Sequence, residues 1–219
     1  MKTIGENVRR LLSELPLGVE LVAAAKGSRP EAVLEAVEAG VKIIGESYIR
    51  EAEAARELIG SKAEWHLIGH LQKNKVKRAV ALFDMIETID SLEIAREIDK
   101  QCKLLGKVMP VLIEVNSGRE PQKSGVFPEA VEQLAGEVAA CGNLKLMGLM
   151  TVGPYSSSPE ELRPYFAETR HLFEKLNKLG LTGIEMKYLS MGMSDSYKVA
   201  IEEGANIVRI GTMIFGERG

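Results

Sequence analysis

Cysteine is nearly missing from this chain: Cys102 and Cys141 are the only two. They lie far apart in helix-like segments, without CxxC spacing and with no histidine close in sequence. A disulfide framework and a cysteine–histidine nucleophile pair are therefore excluded, and two reduced, inert thiols are expected. An excess of one charge is missing too. Lysine and arginine number 28 against 31 for aspartate and glutamate, a formal net charge of −3, which argues against a general polyanion binder and gives no reason to expect nucleic acid as a partner. No apolar run approaches the length of a membrane span, so no membrane partner is expected either. The N-terminal "MKTIGENVRRLLSEL" is amphipathic and lacks the apolar core and small-residue cleavage site of a signal peptide. A soluble, cytoplasmic protein is expected.

What the chain does have is a regular alternation. Short runs rich in Val, Ile, Leu and Met alternate with longer amphipathic segments, the pattern of βα units around a parallel sheet. Strands are expected at 21–25, 41–45, 64–69, 85–89, 108–116, 144–152, 184–191 and 206–211, which makes eight. Helices are expected between them, at about 31–39, 47–59, 72–81, 91–105, 128–140, 159–179 and 194–203. Ser28 with Glu31 reads as a capping box, Gly40 closes the same helix, Ser158 with Glu161 and Pro159 opens the long sixth helix, and Gly204 closes the last. Eight strands with seven intervening helices predict a TIM-type (β/α)8 barrel, a single domain over residues 1–219. A helix at about 3–14 would cover the place where a last helix is missing.

On such a barrel the chemistry lies at the loops that follow the strands. The stretch "LVAAAKGSRP" ends strand one with small residues and then Lys26. A partly desolvated lysine there disfavours its ammonium form and can attack a carbonyl; by position alone, a solvated loop lysine fits as well. At the other end, "LSMGMSDSY" and "RIGT" end strands seven and eight with Ser190, Gly192, Ser194, Gly211 and Thr212, and Ser194 is a plausible N-cap for the next helix. Barrels bind phosphate between those two loops, where backbone N–H groups and a helix N-terminus converge. Arg209, two residues before Gly211, shares its orientation on the strand. A reactive lysine, a phosphate cradle and an arginine between them describe a pyridoxal 5'-phosphate (PLP) site. An arginine at the pyridine nitrogen would keep it unprotonated, holding the cofactor while activating it only weakly.

Other features point less sharply. His66 and His70 lack an evident third ligand and need not share a face, so no metal is expected. Lys73, Lys75, Lys77 and Arg78 read as a solvated face of the third inter-strand helix. Lys123, in the loop after strand five, has two open readings: reaching the barrel mouth or staying in water.

The motifs "LVAAAKGSRP", "IIGESYIREA", "EWHLIGHLQKNK", "TIDS", "KSG", "GLMTV" and "LSMGMSDSYKVAIEEGANIVRIGTMIFG" run in order along nearly the whole chain. In these the sequence resembles the pyridoxal phosphate homeostasis protein family, whose fold is similar to the N-terminal barrel of alanine racemase. The resemblance implies that Lys26 carries PLP as a Schiff base and that Arg209 faces the pyridine nitrogen. It also implies that Ser190, Gly192, Ser194, Gly211 and Thr212 surround the phosphate, with Met193 of the same loop counted among the cofactor-binding residues. Many members read "GEN" where this chain has Gly45-Glu46-Ser47, so a ring contact at Ser47 would be shortened or bridged by water. Members are regarded as regulators of vitamin B6 and amino-acid balance without established catalysis, with PLP-dependent apoenzymes as possible recipients of the cofactor. The alternative is an amino-acid racemase or another PLP-dependent enzyme. Racemisation needs a second acid/base from an added β-domain and a partner subunit, and the sequence stops five residues after Ile214; a non-catalytic monomer is therefore expected.

Overall fold

The computed structural model describes residues 3–156 and 158–217. Eight parallel strands close into a barrel in chain order: β1 (Glu20–Ala24), β2 (Ile43–Glu46), β3 (Glu64–Leu67), β4 (Met85–Ile89), β5 (Met109–Val115), β6 (Leu144–Thr151), β7 (Ile184–Ser190) and β8 (Ile207–Ile210). The expected barrel is there, each strand within about two residues of its predicted bounds. Around it run α1 (Ile4–Glu14), α2 (Pro30–Glu38), α3 (Ile49–Ile59), α4 (Val76–Leu82), α5 (Leu92–Leu105), α6 (Val131–Ala139), α7 (Arg163–Leu179), α8 (Tyr197–Glu202) and α9 (Thr212–Phe215).

Most strands are largely apolar runs because both faces are buried; β7 is the exception, with Glu185 and Lys187 exposed in its first half. Outward residues such as Ala23, Ile44, Trp65, Ile86, Ile113 and Val208 pack under the helices in the main core. Inward residues form smaller clusters: Val22, Ile43 and Ile207 on one side of the barrel, Met85, Leu112 and Met150 on the other. The lower barrel is therefore a packed interior, and open space is left to the loops at its C-terminal end.

Helix starts differ most from expectation. The Ser28/Glu31 box does not form: α2 begins at Pro30 with Arg29 as an N-cap that makes no side-chain bond. The helix after β7 begins at Tyr197, so Ser194 is not its N-cap; Ser196 instead accepts from the Met193 N–H at 3.1 Å. The segments expected at 72–81, 128–140 and 159–179 each open with a tight 3-10 turn, at Lys73–Lys75, Pro128–Ala130 and Pro159–Leu162. In the last two a proline leads the turn, its fixed φ suiting a first turn and its missing N–H costing nothing there.

Strand eight is followed by one helical turn, α9. The N-terminal helix packs over the place where a longer helix would lie, as expected. A Thr3–Glu6 capping box starts α1, and Val8 and Leu11 are buried beneath it. It is tied to α2 by Gly5 N–H to Glu35 at 3.1 Å, to α9 by Asn7 Nδ2 to the Ile214 carbonyl at 3.2 Å, and to α8 by Tyr197 O–H to Glu14 at 3.2 Å.

Candidate functional site

Lys26 stands at the mouth of the barrel on a loop held from both sides. Ala25 extends the sheet by donating to the Gly45 carbonyl at 2.9 Å. Gly27 takes a positive φ of 73°, a conformation open to glycine at little cost, and donates its N–H to Glu51 of α3 at 2.8 Å. Between these anchors the half-buried Lys26 places its Nζ 5.2 Å from the centroid of the Tyr48 ring.

Two cavities meet at this lysine. One, of about 460 Å³, is bordered by Ala24, Lys26, Gly27, Ser28, Gly211 and Thr212. The other, of about 620 Å³, is bordered by Lys26, Ser47, Tyr48, His70 and Lys75, among others. Gly211 lets β8 and β1 approach closely here: a Cβ on it would lie 3.0 Å from the Ala24 carbonyl oxygen. The structure thus brings Lys26 together with Ser47, Gly211 and Thr212.

Three other expected residues lie one step away. Gly192, Met193 and Ser194 form the loop after β7, joined to the β8 end by Arg209 N–H to the Gly192 carbonyl at 3.0 Å and Met213 N–H to Ser194 Oγ at 3.4 Å. Ser194 borders a separate cavity with Arg10, Glu14 and Met213, and neither Lys26 cavity includes it. Gly192 has φ 87°, and a Cβ there would meet Ala200 Cβ at 2.6 Å and Tyr197 Cα at 2.8 Å, so packing against α8 by itself demands a glycine.

Ser190 and Arg209 lie inside the barrel. Arg209 is 4% exposed, and its Nη1 donates to Ser190 Oγ at 2.7 Å while Nη2 donates to the Thr151 carbonyl at 2.8 Å. Ser190 in turn donates to Glu87 Oε2 at 2.6 Å, and the other Glu87 oxygen receives His66 Nδ1 at 2.7 Å. Ser190, expected at the phosphate, faces inward from its strand and is fully buried, its hydroxyl engaged by Glu87 and Arg209.

Charge governs this interior. Burial works against an ionised Glu87, but the His66 ring, Arg209 and Ser190 outweigh it and lower its pKa. Burial likewise opposes a charged His66, yet Glu64 and Glu87 prevail and raise its imidazole to about 9. Arg209 is pulled below its usual value by burial, which Glu87 and Glu114 oppose. Glu114 is pushed up to about 7 by burial and by Asp90, against the pull of Arg209.

Sequence pattern does not single out Glu87 or Glu114. The available signal was a carboxylate in the middle of an apolar strand run, "MIETI" and "VLIEV". The two histidines do not share a face: His66 is inside the barrel, while the exposed His70 sits 3.1 Å from Asp90. Lys73 pairs with Glu93 and Arg78 with Glu53, so two of the four cations are matched on the surface. Lys123 reaches the Gly153 carbonyl at 3.3 Å and pairs with Glu120, linking the loops after β5 and β6.

The sequence model described as "Alanine racemase, N-terminal domain" matches residues 1–219. A pyridoxal phosphate homeostasis protein of Aquifex aeolicus is 42% identical over 203 residues, 91% of this chain and 87% of that one. The structure of PipY from Synechococcus elongatus with PLP bound superposes with a TM-score of 0.90 at 31% identity, covering 98% of this chain and 100% of that one. Alanine racemase of Clostridium difficile gives a TM-score of 0.77 at 19% identity, covering 99% of this chain but 56% of the racemase, a likeness of fold.

Proposed function

We propose, on the premise that this chain belongs to the alanine racemase N-terminal domain family and within it to the pyridoxal phosphate homeostasis proteins, that it binds PLP at the barrel mouth and maintains the balance of that cofactor and of amino acids without catalysis. The observation that carries the reading is the position of Lys26, shared by two cavities, one of which also has Gly211 and Thr212 on its wall.

The residues present suit the cofactor. When bound, PLP supplies an aldehyde that condenses with an amine and releases water. Lys26 Nζ would be the amine that holds it. Gly211 leaves room at its backbone, and Thr212 offers a hydroxyl and the start of α9 to the phosphate. Arg209 uses two of its N–H groups on Ser190 and Thr151, and others remain for the ring nitrogen. Ser47, on the wall of the larger cavity, would be the residue nearest β2 to meet the ring.

The mouth favours exchange over committed catalysis. Tyr48 and Thr212 are exposed and Lys26 is half-buried, so a cofactor held there would stay open to water and external amines. The Glu51 carboxylate, on the wall of the larger cavity, accepts the Gly27 N–H. Apoenzymes receive the cofactor from a monomer working in the cytoplasm; among the described residues no helix is long and apolar enough to cross a membrane.

Absorption spectra of the purified protein with and without added PLP, beside those of Lys26→Ala, test the reading. A visible band that borohydride removes and the variant never develops is expected. The same band in Lys26→Ala would overturn the assignment, and amino-acid turnover lost in that variant would favour the racemase alternative.

A further inference from the structure

We propose that Glu87 and Ser190 are positioning residues that hold the Arg209 guanidinium through a hydrogen-bonded relay across the barrel, so that β3 and β4 determine what β8 presents to the ring of a bound cofactor. The inference rests on the reading of Arg209 given above.

The direction of each bond follows from the chemistry of the groups. An ionised carboxylate only accepts, so Ser190 must donate its single proton to Glu87 Oε2. Its lone pair is then what receives Arg209 Nη1. A hydroxyl with its proton and a lone pair so committed, fully buried, is a poor phosphate ligand and a rigid bracket. The second bracket is the Thr151 carbonyl on β6, at 2.8 Å from Nη2. Thr151 is itself fixed by its hydroxyl, which donates to the Val115 carbonyl at 2.7 Å.

Glu87 is locked from the far side by His66 Nδ1 at 2.7 Å, and the other His66 nitrogen lies 3.9 Å from Glu64. The relay therefore reads His66, Glu87, Ser190, Arg209, with one member on each of β3, β4, β7 and β8. The remaining ionisable group whose charge acts on Arg209 is Glu114 on β5. A buried guanidinium without such partners would be free to turn or costly to keep charged. With them, two of its N–H groups are assigned and the rest are directed elsewhere.

Glu87→Gln, Ser190→Ala and Ser190→Thr separate this role from the alternatives in three measurements. In the cofactor-free protein, the His66 imidazole titration followed by NMR should move down by about one pH unit or more in Glu87→Gln. With cofactor, the pH midpoint and position of the visible band should shift in Glu87→Gln and Ser190→Ala and return toward wild type in Ser190→Thr. The preference for PLP over pyridoxal should stay within about twofold in Ser190→Ala, since the phosphate contacts are intact. An unchanged band and pH profile in both Glu87→Gln and Ser190→Ala overturns the relay. A preference for PLP that collapses in Ser190→Ala overturns it in favour of a phosphate ligand. If Ser190→Ala unfolds, the near-isosteric Glu87→Gln still decides, because an NMR titration that leaves His66 unmoved contradicts the relay by itself. A wild type with no borohydride-sensitive band would instead remove the reading of Lys26, and the cofactor-free titration would still test the relay.

Discussion

Side chains that act alone were the easiest to recognise. Lys26 draws notice because it follows a run of small residues at a strand end; position alone fits a solvated loop lysine as well, and the structure puts it beside two cavities. The bonds of Ser190 to Glu87 and Arg209 are not legible in the sequence, because these partners come from strands distant in the chain and no local pattern encodes a contact across a barrel. Gly192 shows how one residue can satisfy two arguments: its loop suits a phosphate, while its positive φ and the closeness of Ala200 already exclude a side chain. Gly192→Ala should cost roughly 2–4 kcal/mol in denaturant unfolding, from left-handed strain plus overpacking. A loss below about 0.5 kcal/mol would show that the loop relaxes freely. Glu46 is a different case: burial and the nearby Glu51 push its carboxyl up to about 8, and one of its buried oxygens has no partner among the described residues. Glu46→Gln should therefore stabilise the protein near pH 9 by roughly 1–3 kcal/mol, with the gain vanishing near pH 4.

Whole elements were legible wherever periodicity is set by burial. The strands keep their predicted places because most are covered on both faces and their runs are largely apolar. Helix starts were less legible because a capping pattern is only an offer, which the backbone declines when another partner is better placed. At Ser28 the adjoining Gly27 N–H goes to Glu51 of α3, and the helix begins at Pro30 without a side-chain cap. The one-turn α9 was hidden because four residues carry no period to read. The N-terminal helix closes the ring by packing on α9 as well as α2, which links stability to the mouth. Leu11, fully buried on α1, tests the link: Leu11→Ala should cost roughly 2–4 kcal/mol and also weaken PLP binding, because α9 follows Gly211 directly. Equal destabilisation with unchanged affinity, measured by titration at low temperature, would separate α1 from the site.

For the molecule as a whole, three buried groups make stability fall with rising pH. His66 has a raised folded pKa, so its contribution is complete below its usual 6.5 and is lost as pH climbs through about 9. Glu46 and Glu114 are carboxyls whose folded pKa values are raised from 4.5 to about 8 and about 7, so the fold retains protons that the unfolded chain releases, and the cost grows over those intervals. The signs agree, and Tm should drop by roughly 5 °C or more between about pH 6 and pH 9. A flat profile in scanning calorimetry would mean that these groups are better solvated than their surroundings indicate.

The proposed function rests on a covalent link at Lys26, which chemical trapping tests directly. The PLP-loaded protein is reduced with borohydride, digested, and its peptides mapped by mass spectrometry. The cofactor should be found on the peptide containing Lys26 and absent from those containing Lys75 and Lys123, the other lysines near the mouth. Cofactor fixed to one of those, or scattered over surface lysines, would contradict the account.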